Sequence, residues 1–208
     1  MFTPITLVID TVSAACSAAL LDADGGLVAE AYQEVGRGHA ERLVPMIGEL
    51  LAGVRPDRIL VDCGPGSFTG LRVGLAAAHG LAIGWQVPLA GYSAPALLAA
   101  MAGRRGEPVA AALVGGHGEL FVQSFAGEPL HPTEPLRSLL PEHAAAEIRT
   151  RLVIGSGARL LVAARGWGDA VEQLPRAAAA RLLPPELRAL PARPIYGRPP
   201  DAKPMAAG

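Results

Sequence analysis

The sequence predicts an α/β fold in two lobes, each a mixed sheet with flanking helices. Short apolar, β-branched runs of strand length alternate with stretches in which apolar residues recur at helical spacing. In the most distinctive stretch, residues 59–82, an apolar strand runs into a loop with three glycines and then into a helix of small residues. After about residue 104, the same order of elements begins again.

The first lobe is predicted to span residues 1–103. It opens with a three-stranded meander whose first strand ends in Asp10, and a DADGG turn joins the second and third strands. A helix, a buried strand, the glycine loop, a second helix, a short strand and a third helix follow. The predicted strands are 5–10, 15–22, 27–34, 58–64 and 88–92, and the predicted helices are 36–53, 69–85 and 94–103.

The second lobe, predicted over residues 104–190, repeats this plan with little sequence similarity. Two antiparallel strands joined by a GGHG turn come first, and a short helix then precedes a strand that runs into glycines. Prolines prevent a long helix or a central strand in residues 191–208, so this stretch is predicted to be a tail, either disordered or laid over the surface. Ile195 and Tyr196 indicate that part of the tail docks. The second-lobe elements are predicted at 108–115, 119–126, 145–151 and 152–158.

The composition predicts a folded cytoplasmic protein. Half of the 208 residues are apolar and 18% are charged, which supports a packed core rather than disorder. The net charge of −1 and the lack of a basic block make tight binding to nucleic acid unexpected. Cys16 and Cys63 are too few for a disulfide framework and suit a reducing compartment. The start of the sequence lacks the basic region of a signal peptide, and Arg72 and His79 interrupt the apolar window 71–91, so no membrane span is expected.

The glycine loop, GPGSFTG at 64–70, has the spacing of a loose dinucleotide-binding turn, but its chemistry argues against a nucleotide. Pro65 removes one backbone N–H from the cradle. No acidic residue occurs between Asp62 and Glu107, so the carboxylate that binds the ribose about 20 residues further on is missing. A Walker loop would need Gly-Lys-Ser/Thr, and Leu71 follows the last glycine instead. The pattern favours a tight turn whose glycines let the following helix pack closely.

The turn after the first strand also lacks the features of a phosphate site. Asp10 stands at the end of the strand, where a carboxylate could hold Mg²⁺. The following residues, 11–14, contain no glycine that would let the backbone close on a phosphate. Asp10 is therefore interpreted as a structural acceptor for its own turn.

No catalytic or metal-binding constellation is predicted, and neither a cofactor nor a metal is expected. His39 and Glu41 lie two residues apart and point to different faces of a helix, so joint metal binding is not expected, and His39 is interpreted as a solvated residue at a helix N-terminus. Ser67 and Thr69 could act as nucleophiles only beside a base, which the sequence does not identify. The other histidines are scattered, without the i, i+4 spacing of a helical metal site: His79, His117, His131 and His143.

The stretch ILVDCGPGSFTGLRVGLAAAHGLA, residues 59–82, resembles the signature of the TsaB (YeaZ) family, a bacterial component of the machinery that makes threonylcarbamoyladenosine in tRNA. Five further stretches are similar to motifs of that family in the same order, so the resemblance covers most of the chain. They are VIDTVSAACSAAL (8–20), HAERLVPMI (39–47), VPLAGYSA (87–94), VIGSGA (153–158) and RPIYGRP (193–199).

The resemblance implies an actin-like (ASKHA) two-lobed fold without a working ATP site. It implies a non-catalytic scaffold that activates the modification complex by pairing with the catalytic subunit TsaD and, through that pair, with the ATPase TsaE. A homodimer is also allowed, tRNA is contacted only indirectly, and the location is cytoplasmic, away from membranes. Residues 91–97 lack the histidine pair that binds metal at the corresponding place in TsaD, which agrees with the non-catalytic branch.

Two departures from the family pattern leave its core motif intact. Val12 replaces the serine that usually follows Asp-Thr, and the second-lobe turn at 113–120 lacks the usual Asp-Ala-Arg run. The second departure puts the role of that turn in doubt. Two other functions stay open: a metal-independent hydrolase of the glycoprotease type, and a small nucleotide-binding module.

A stripe of small residues predicts the surface through which the partner binds. Gly70, Gly74, Ala78 and Ala82 lie four apart on one face of a helix, and such a stripe lets another helix approach closely. The resemblance implies that this helix and the helix at 39–52 pair with the same helices of a partner. The predicted interface residues are His39, Leu43, Met46, Ile47, Gly70, Leu71, Gly74, Ala78 and Ala82.

Overall fold

A computed structural model describes residues 3–103 and 106–197 and contains two mixed β-sheets with flanking helices. In the first half, strands β1–β5 are Thr6–Asp10, Ala15–Leu21, Leu27–Glu34, Arg58–Asp62 and Leu89–Tyr92, and helices α1–α3 are His39–Leu51, Phe68–Trp85 and Ala94–Met101. In the second half, β6–β11 are Gly106–Val114, Leu120–Gly127, His131–Pro132, Arg137–Leu139, Leu152–Ile154 and Asp169–Val171, and α4 and α5 are Pro141–Glu147 and Ala158–Arg165. Short 3-10 helices span Gly116–Gly118, Ala177–Leu182 and Pro185–Arg188.

The two sheets have the same strand order, which confirms the predicted repeat. In the first sheet the order is β3-β2-β1-β4-β5, with β1, β2 and β3 antiparallel and β1, β4 and β5 parallel. In the second sheet the order is β11-β10-β6-β7-β8, with β9 also paired to β7. Strand β6 thus corresponds to β1, and β10 and β11 correspond to β4 and β5. Each sheet therefore has a meander on one side and a parallel half on the other.

One hydrophobic core joins the two lobes through helix α3. Nearly every side of this helix is buried, as expected for a helix without a polar face, and it packs against β6 and β7 of the second sheet. Strands β1 and β2 are buried along their whole length, between α1 and α2 and the 3-10 helix Ala177–Leu182. A smaller cluster lies between the second sheet and α4 and α5.

Three boundaries differ from the prediction for identifiable reasons. Helix α1 begins at His39 rather than at residue 36, because Gly36 and Gly38 have positive φ angles of 60° and 152°. Helix α4 spans Pro141–Glu147 rather than 145–151, and the guanidinium of Arg165 donates hydrogen bonds to backbone carbonyls of the segment that follows it. The sequence patterns did not reveal β8, β9, β11 or α5.

The predicted boundary after the second lobe also needs correction. Residues 177–188, assigned to that lobe, return to the first sheet, where the backbone N–H of Ala177 donates to Oγ of Ser17 at 3.0 Å. Leu190 then forms a β-bridge with Gly91 of β5. The predicted tail does dock, as far as residue 197; its remainder and the predicted junction at 104 lie outside the described residues. No helix in the described ranges is long and apolar enough to cross a membrane.

Candidate functional site

The glycine loop connects β4 to α2 at the edge of the first sheet where the parallel strands end. Gly64 has a φ of 87°, a conformation that favours glycine, and the backbone then passes through Pro65 to Ser67, which caps α2. Oγ of Ser67 accepts a hydrogen bond from the backbone N–H of Gly70 at 3.2 Å. Asp10, at the end of β1, and Asp62, at the end of β4, lie at the same edge.

The loop closes tightly on the turn between β1 and β2. A Cβ atom on Gly66 would lie 2.2 Å from the carbonyl oxygen of Val12, and one on Gly70 would lie 2.0 Å from the carbonyl oxygen of Thr11. Two hydrogen bonds hold this approach: Ser67 N–H donates to Val12 O at 2.7 Å, and Thr11 Oγ1 donates to Gly70 O at 2.7 Å. The position in which such a loop could cradle a phosphate is therefore filled by the chain's own backbone. The predicted tight turn is confirmed.

The small-residue stripe of α2 faces this chain's interior, which corrects the predicted interface. A Cβ on Gly74 would lie 2.4 Å from Thr11 Oγ1, the hydroxyl that donates a hydrogen bond to Gly70 O. Ala78 and Ala82, one and two turns further along, are buried against the core. The small residues let α2 approach its own sheet, where the sequence pattern suggested a foreign helix.

The other predicted interface residues are buried as well. Leu43, Met46, Ile47 and Leu71 belong to the core of the first lobe, because the apolar face of α1 packs on β2 and α2 packs on β4. His39 is only 4% exposed, and its Nε2 lies 3.2 Å from the carbonyl oxygen of Ala15. The expected solvated histidine is therefore wrong; His39 ties the start of α1 to β2.

The opposite faces of α1 and α2 are open to solvent and carry apolar side chains. Ile83 is 77% exposed, Val44 is 60% exposed and Phe68 is 56% exposed. The guanidinium of Arg72 lies 3.7 Å from the centre of the Phe68 ring, on the same outer face. Helices α1 and α2 contact each other, and we call the solvent-exposed side of this helix pair, which carries these residues, the outer face. The exposed residues of the two helices also include small ones, Ala40, Gly48, Ala76 and Gly80, and the charged Glu41 and Glu49.

A pair of buried carboxyl groups lies beneath the loop. Asp10 and Asp62 are both fully buried and lie close enough to influence each other's ionisation. Asp10 accepts hydrogen bonds from the Tyr92 hydroxyl at 3.2 Å and from Val12 N–H at 3.4 Å, which confirms its predicted role as an acceptor for its own turn. Asp62 Oδ1 accepts from Gly64 N–H at 2.7 Å, whereas its Oδ2 has no donor among the described residues.

Burial determines how this pair ionises. It raises the pKa of Asp10 from 3.8 to about 6, against the opposing effects of hydrogen bonds and of the nearby His39. Burial, and next the neighbouring Asp10 carboxylate, raise the pKa of Asp62 well above its ordinary value. Burial and the neighbouring carboxylate therefore both favour the protonated form of Asp62. Both carboxyls are sealed from solvent beneath the loop.

Metal ligands are not clustered in the described parts of the chain. No group of three or more His, Cys, Asp or Glu residues between 3 and 103 or between 106 and 197 could hold an ion. Of the polar residues considered from the sequence, Ser67 and Thr69 stand exposed at the start of α2, and the exposed His79 bonds the carbonyl of Ala192 at 2.9 Å.

The comparison with known proteins decides the family. Residues 15–129 match the family model described as TsaD, tRNA N6-adenosine threonylcarbamoyltransferase. The solved structure of YeaZ from Pseudomonas aeruginosa superposes with a TM-score of 0.79 at 30% identity, covering 93% of this chain and 99% of that one. The chain belongs to the TsaB (YeaZ) family. The actin-like (ASKHA) two-lobed fold expected for such a chain is confirmed.

Curated TsaB relatives align with about two fifths of this chain. The tRNA threonylcarbamoyladenosine biosynthesis protein TsaB of Escherichia coli is 37% identical over 92 residues, which is 42% of this chain and 39% of that protein. The protein of the same name from Haemophilus influenzae is 41% identical over 88 residues, or 40% and 36% of the two chains. The aligned part thus spans about two fifths of these relatives. A transferase from Corynebacterium diphtheriae also matches, at 34% identity over 51% of this chain and 31% of its own length.

The closure of the loop in this TsaB-family chain predicts that Gly70→Ala destabilises the fold. The new Cβ would meet the backbone of Thr11, which cannot move without disturbing β1, and overpacking of this kind costs about 1–3 kcal/mol. Gly80→Ala is the matched control, because Gly80 lies on the same helix with open space around it. At position 80, the higher helix propensity of alanine should raise the free energy of unfolding by as much as about 1 kcal/mol. Urea denaturation measures both changes, and equal effects at the two positions would contradict the assigned contact.

The carboxyl pair predicts that stability falls as pH rises. Folding raises the pKa of both carboxyls, so the pair's contribution to the free energy of unfolding is complete below the pKa of an unfolded aspartate, about 3.8. That contribution is lost as pH rises through the pKa of the folded state, which for Asp10 is about 6. Asp62→Asn keeps the acceptor for Gly64 and supplies an amide donor to Asp10. It should raise the free energy of unfolding at pH 8 by about 1–3 kcal/mol and flatten the pH profile. Denaturation curves at pH 5, 6.5 and 8 provide the test; an unchanged slope would show that Asp62 is already ionised.

Proposed function

We propose that this chain is a non-catalytic scaffold and activating subunit in the biosynthesis of threonylcarbamoyladenosine in tRNA, and that it pairs with a TsaD-like catalytic subunit. Membership of the TsaB family supports the pathway, since relatives in that family carry its name. The observation that carries the pairing is the outer face of α1 and α2. It is the side of the two helices that this chain's own core leaves open.

The composition of the outer face suits a protein partner. The Phe68–Arg72 stack combines an aromatic ring and an arginine, two types enriched in protein interfaces, and the exposed side chains of Val44 and Ile83 add apolar area beside it. The small exposed residues of the two helices leave shallow grooves into which ridges of another helix pair can pack. A partner that presents two helices with apolar ridges would therefore bury this surface.

A scaffold role agrees with the chemistry at the sheet edge. The glycine loop is closed on Thr11 and Val12, and the two carboxyls beneath it are sealed from solvent. A subunit of this kind acts by binding one conformation of its partner more tightly than the others. In the proposed complex, the catalytic groups, the TsaE-like ATPase and the tRNA all contact the TsaD-like subunit.

A homodimer would use the same outer face as the heterodimer. The two assemblies would then exclude each other, and the concentration of the TsaD-like subunit would set which one forms. The exposed apolar side chains would be covered in either assembly.

Replacing Ile83 by Asp tests the pairing. A charge at the middle of a desolvated interface should weaken binding to the TsaD-like subunit of the same organism by about 10- to 100-fold. The melting temperature should stay unchanged, because Ile83 is 77% exposed. Leu160→Asp is the matched control: Leu160 is 50% exposed on α5, in the other lobe, and its replacement should leave the affinity intact. Isothermal titration gives the affinities and calorimetry the melting temperatures; equal affinities for the two variants would place the partner elsewhere.

The same pair of variants tests the pathway in cells. Depleting the protein should lower threonylcarbamoyladenosine in tRNAs that read codons beginning with A, measured by mass spectrometry of digested tRNA. Wild type and Leu160→Asp should restore the modification, whereas Ile83→Asp should not. Unchanged modification after depletion would overturn the proposed function.

A further inference from the structure

The edge of the first sheet where β1, β4 and β5 end is covered by a segment from much later in the chain. In open α/β sheets this edge is the usual ligand crevice, because the loops that follow parallel strands diverge there. Residues 190–197, which we call the strap, lie across the ends of β4 and β5. The strap is not part of either sheet's main strand order.

Backbone hydrogen bonds attach the strap to both strands. Leu190 and Gly91 exchange two of them, Gly91 N–H to Leu190 O at 2.7 Å and Leu190 N–H to Gly91 O at 3.0 Å. Further along, Ile195 N–H donates to the carbonyl of Cys63, the residue directly after β4, at 2.8 Å. This is the way in which an extended peptide adds to the edge of a sheet.

Two glycines let the strap come this close. A Cβ on Gly91 would lie 3.2 Å from the carbonyl oxygen of Pro191, and one on Gly64 would lie 3.3 Å from the carbonyl oxygen of Ile195. Both distances are shorter than ordinary van der Waals contacts of a side-chain carbon. Gly64 belongs to the glycine loop, so the loop is closed from one side by the β1–β2 turn and from the other by the strap.

The strap also connects the two lobes. On the first lobe, Nε2 of His79 donates to the carbonyl of Ala192 at 2.9 Å, and the ring of Tyr196 lies 6.2 Å from that of Phe68. At its end, Gly197 packs so closely on Phe121 of β7 that a Cβ there would lie 2.3 Å from the ring. The segment thus runs from α2 in the first lobe to the second sheet.

We propose that the strap is a built-in peptide ligand of this crevice, and that it closes the glycine loop and can open without unfolding the rest of the chain. The chemical class that the crevice binds is a short extended peptide, recognised through its backbone. Independent opening follows from how the strap is held: by few hydrogen bonds and with every residue at least partly exposed, which is typical of the least stable parts of a fold.

Cys63 reports the state of the strap. Its thiol is fully buried beneath it, with Sγ 3.7 Å from the carbonyl oxygen of Pro191, and burial raises the pKa of the thiol to about 12. Cys16, on β2, is equally buried but is covered by other elements, and burial raises its pKa to about 11. Opening of the strap should expose Cys63 alone, whereas global unfolding exposes both thiols.

The test compares two replacements of one strap residue in the full chain. Ile195→Pro removes the N–H that binds Cys63 O, whereas Ile195→Ala shortens the side chain and keeps that N–H. Each variant is alkylated with iodoacetamide at one pH, and mass spectrometry of the digested protein gives the rates at Cys63 and Cys16 separately. We expect the proline variant to react about fivefold faster or more at Cys63, with the rate at Cys16 unchanged, and the alanine variant to change less.

Two results would overturn the proposal. If Cys63 reacts at the wild-type rate in the proline variant, the strap does not protect it. If Cys16 accelerates in step with Cys63, the strap is not an independent element but unfolds together with the sheet. Equal acceleration at Cys63 by proline and alanine would show that the hydrogen bond to Cys63 does not hold the strap.

Discussion

The close approach of helix α2 to the turn between β1 and β2 is the constraint on which the rest of the structure depends. Three glycines spaced four residues apart have no side chain where this turn passes: Gly66 and Gly70 face the backbone of Val12 and Thr11, and Gly74 faces the Thr11 hydroxyl. The hydrogen bonds from Ser67 N–H and Thr11 Oγ1 fix this contact at both ends. A side chain at any of these glycines would push the helix off the sheet.

Several features of the first lobe follow from that contact. The edge of the sheet cannot open toward a phosphate, and the two carboxyls at the strand ends are sealed beneath it, where burial raises the pKa of both. Once the small face of α2 is committed to the sheet, its larger residues, Phe68, Arg72 and Ile83, must face solvent. The proposed partner surface is thus the reverse side of the contact that closes the loop.

The sequence predicted the order and type of the main elements because apolar periodicity and turn residues are local signals. Strand β3, helix α2 and the repeated plan of the second sheet were found in this way. The direction that α2 faces could not be predicted. Small residues four apart indicate that some backbone approaches the helix closely, but not which one. The interface residues predicted from this spacing lie in the chain's own core, with Gly74 against Thr11. The periodicity correctly identified which face of α2 is closely packed, but it did not indicate which part of the structure packs against that face.

Long-range contacts account for the other differences. His39 has the sequence context of an exposed helix start, and only the tertiary structure places the Ala15 carbonyl beside it. Arg165 binds carbonyls 14 to 17 residues earlier in the chain, after the end of α4. The return of residues 177–188 to the first sheet depends on pairings more than 150 residues apart, such as Ala177 with Ser17. None of these partners leaves a pattern within a short sequence window.

A double-mutant cycle between Thr11 and Gly74 tests the central contact most directly. With Thr11 present, Gly74→Ala places a Cβ 2.4 Å from Oγ1 and should destabilise the fold by about 1–3 kcal/mol. With Thr11→Ala, the nearest remaining atoms are Cβ of residue 11 at 3.7 Å and Cγ2 of Ile9 at 3.9 Å, both ordinary contacts. The same replacement should then be neutral or stabilising by up to about 1 kcal/mol through helix propensity. Denaturation of the four proteins gives the coupling energy. A cost for Gly74→Ala that is the same in both backgrounds would contradict the account.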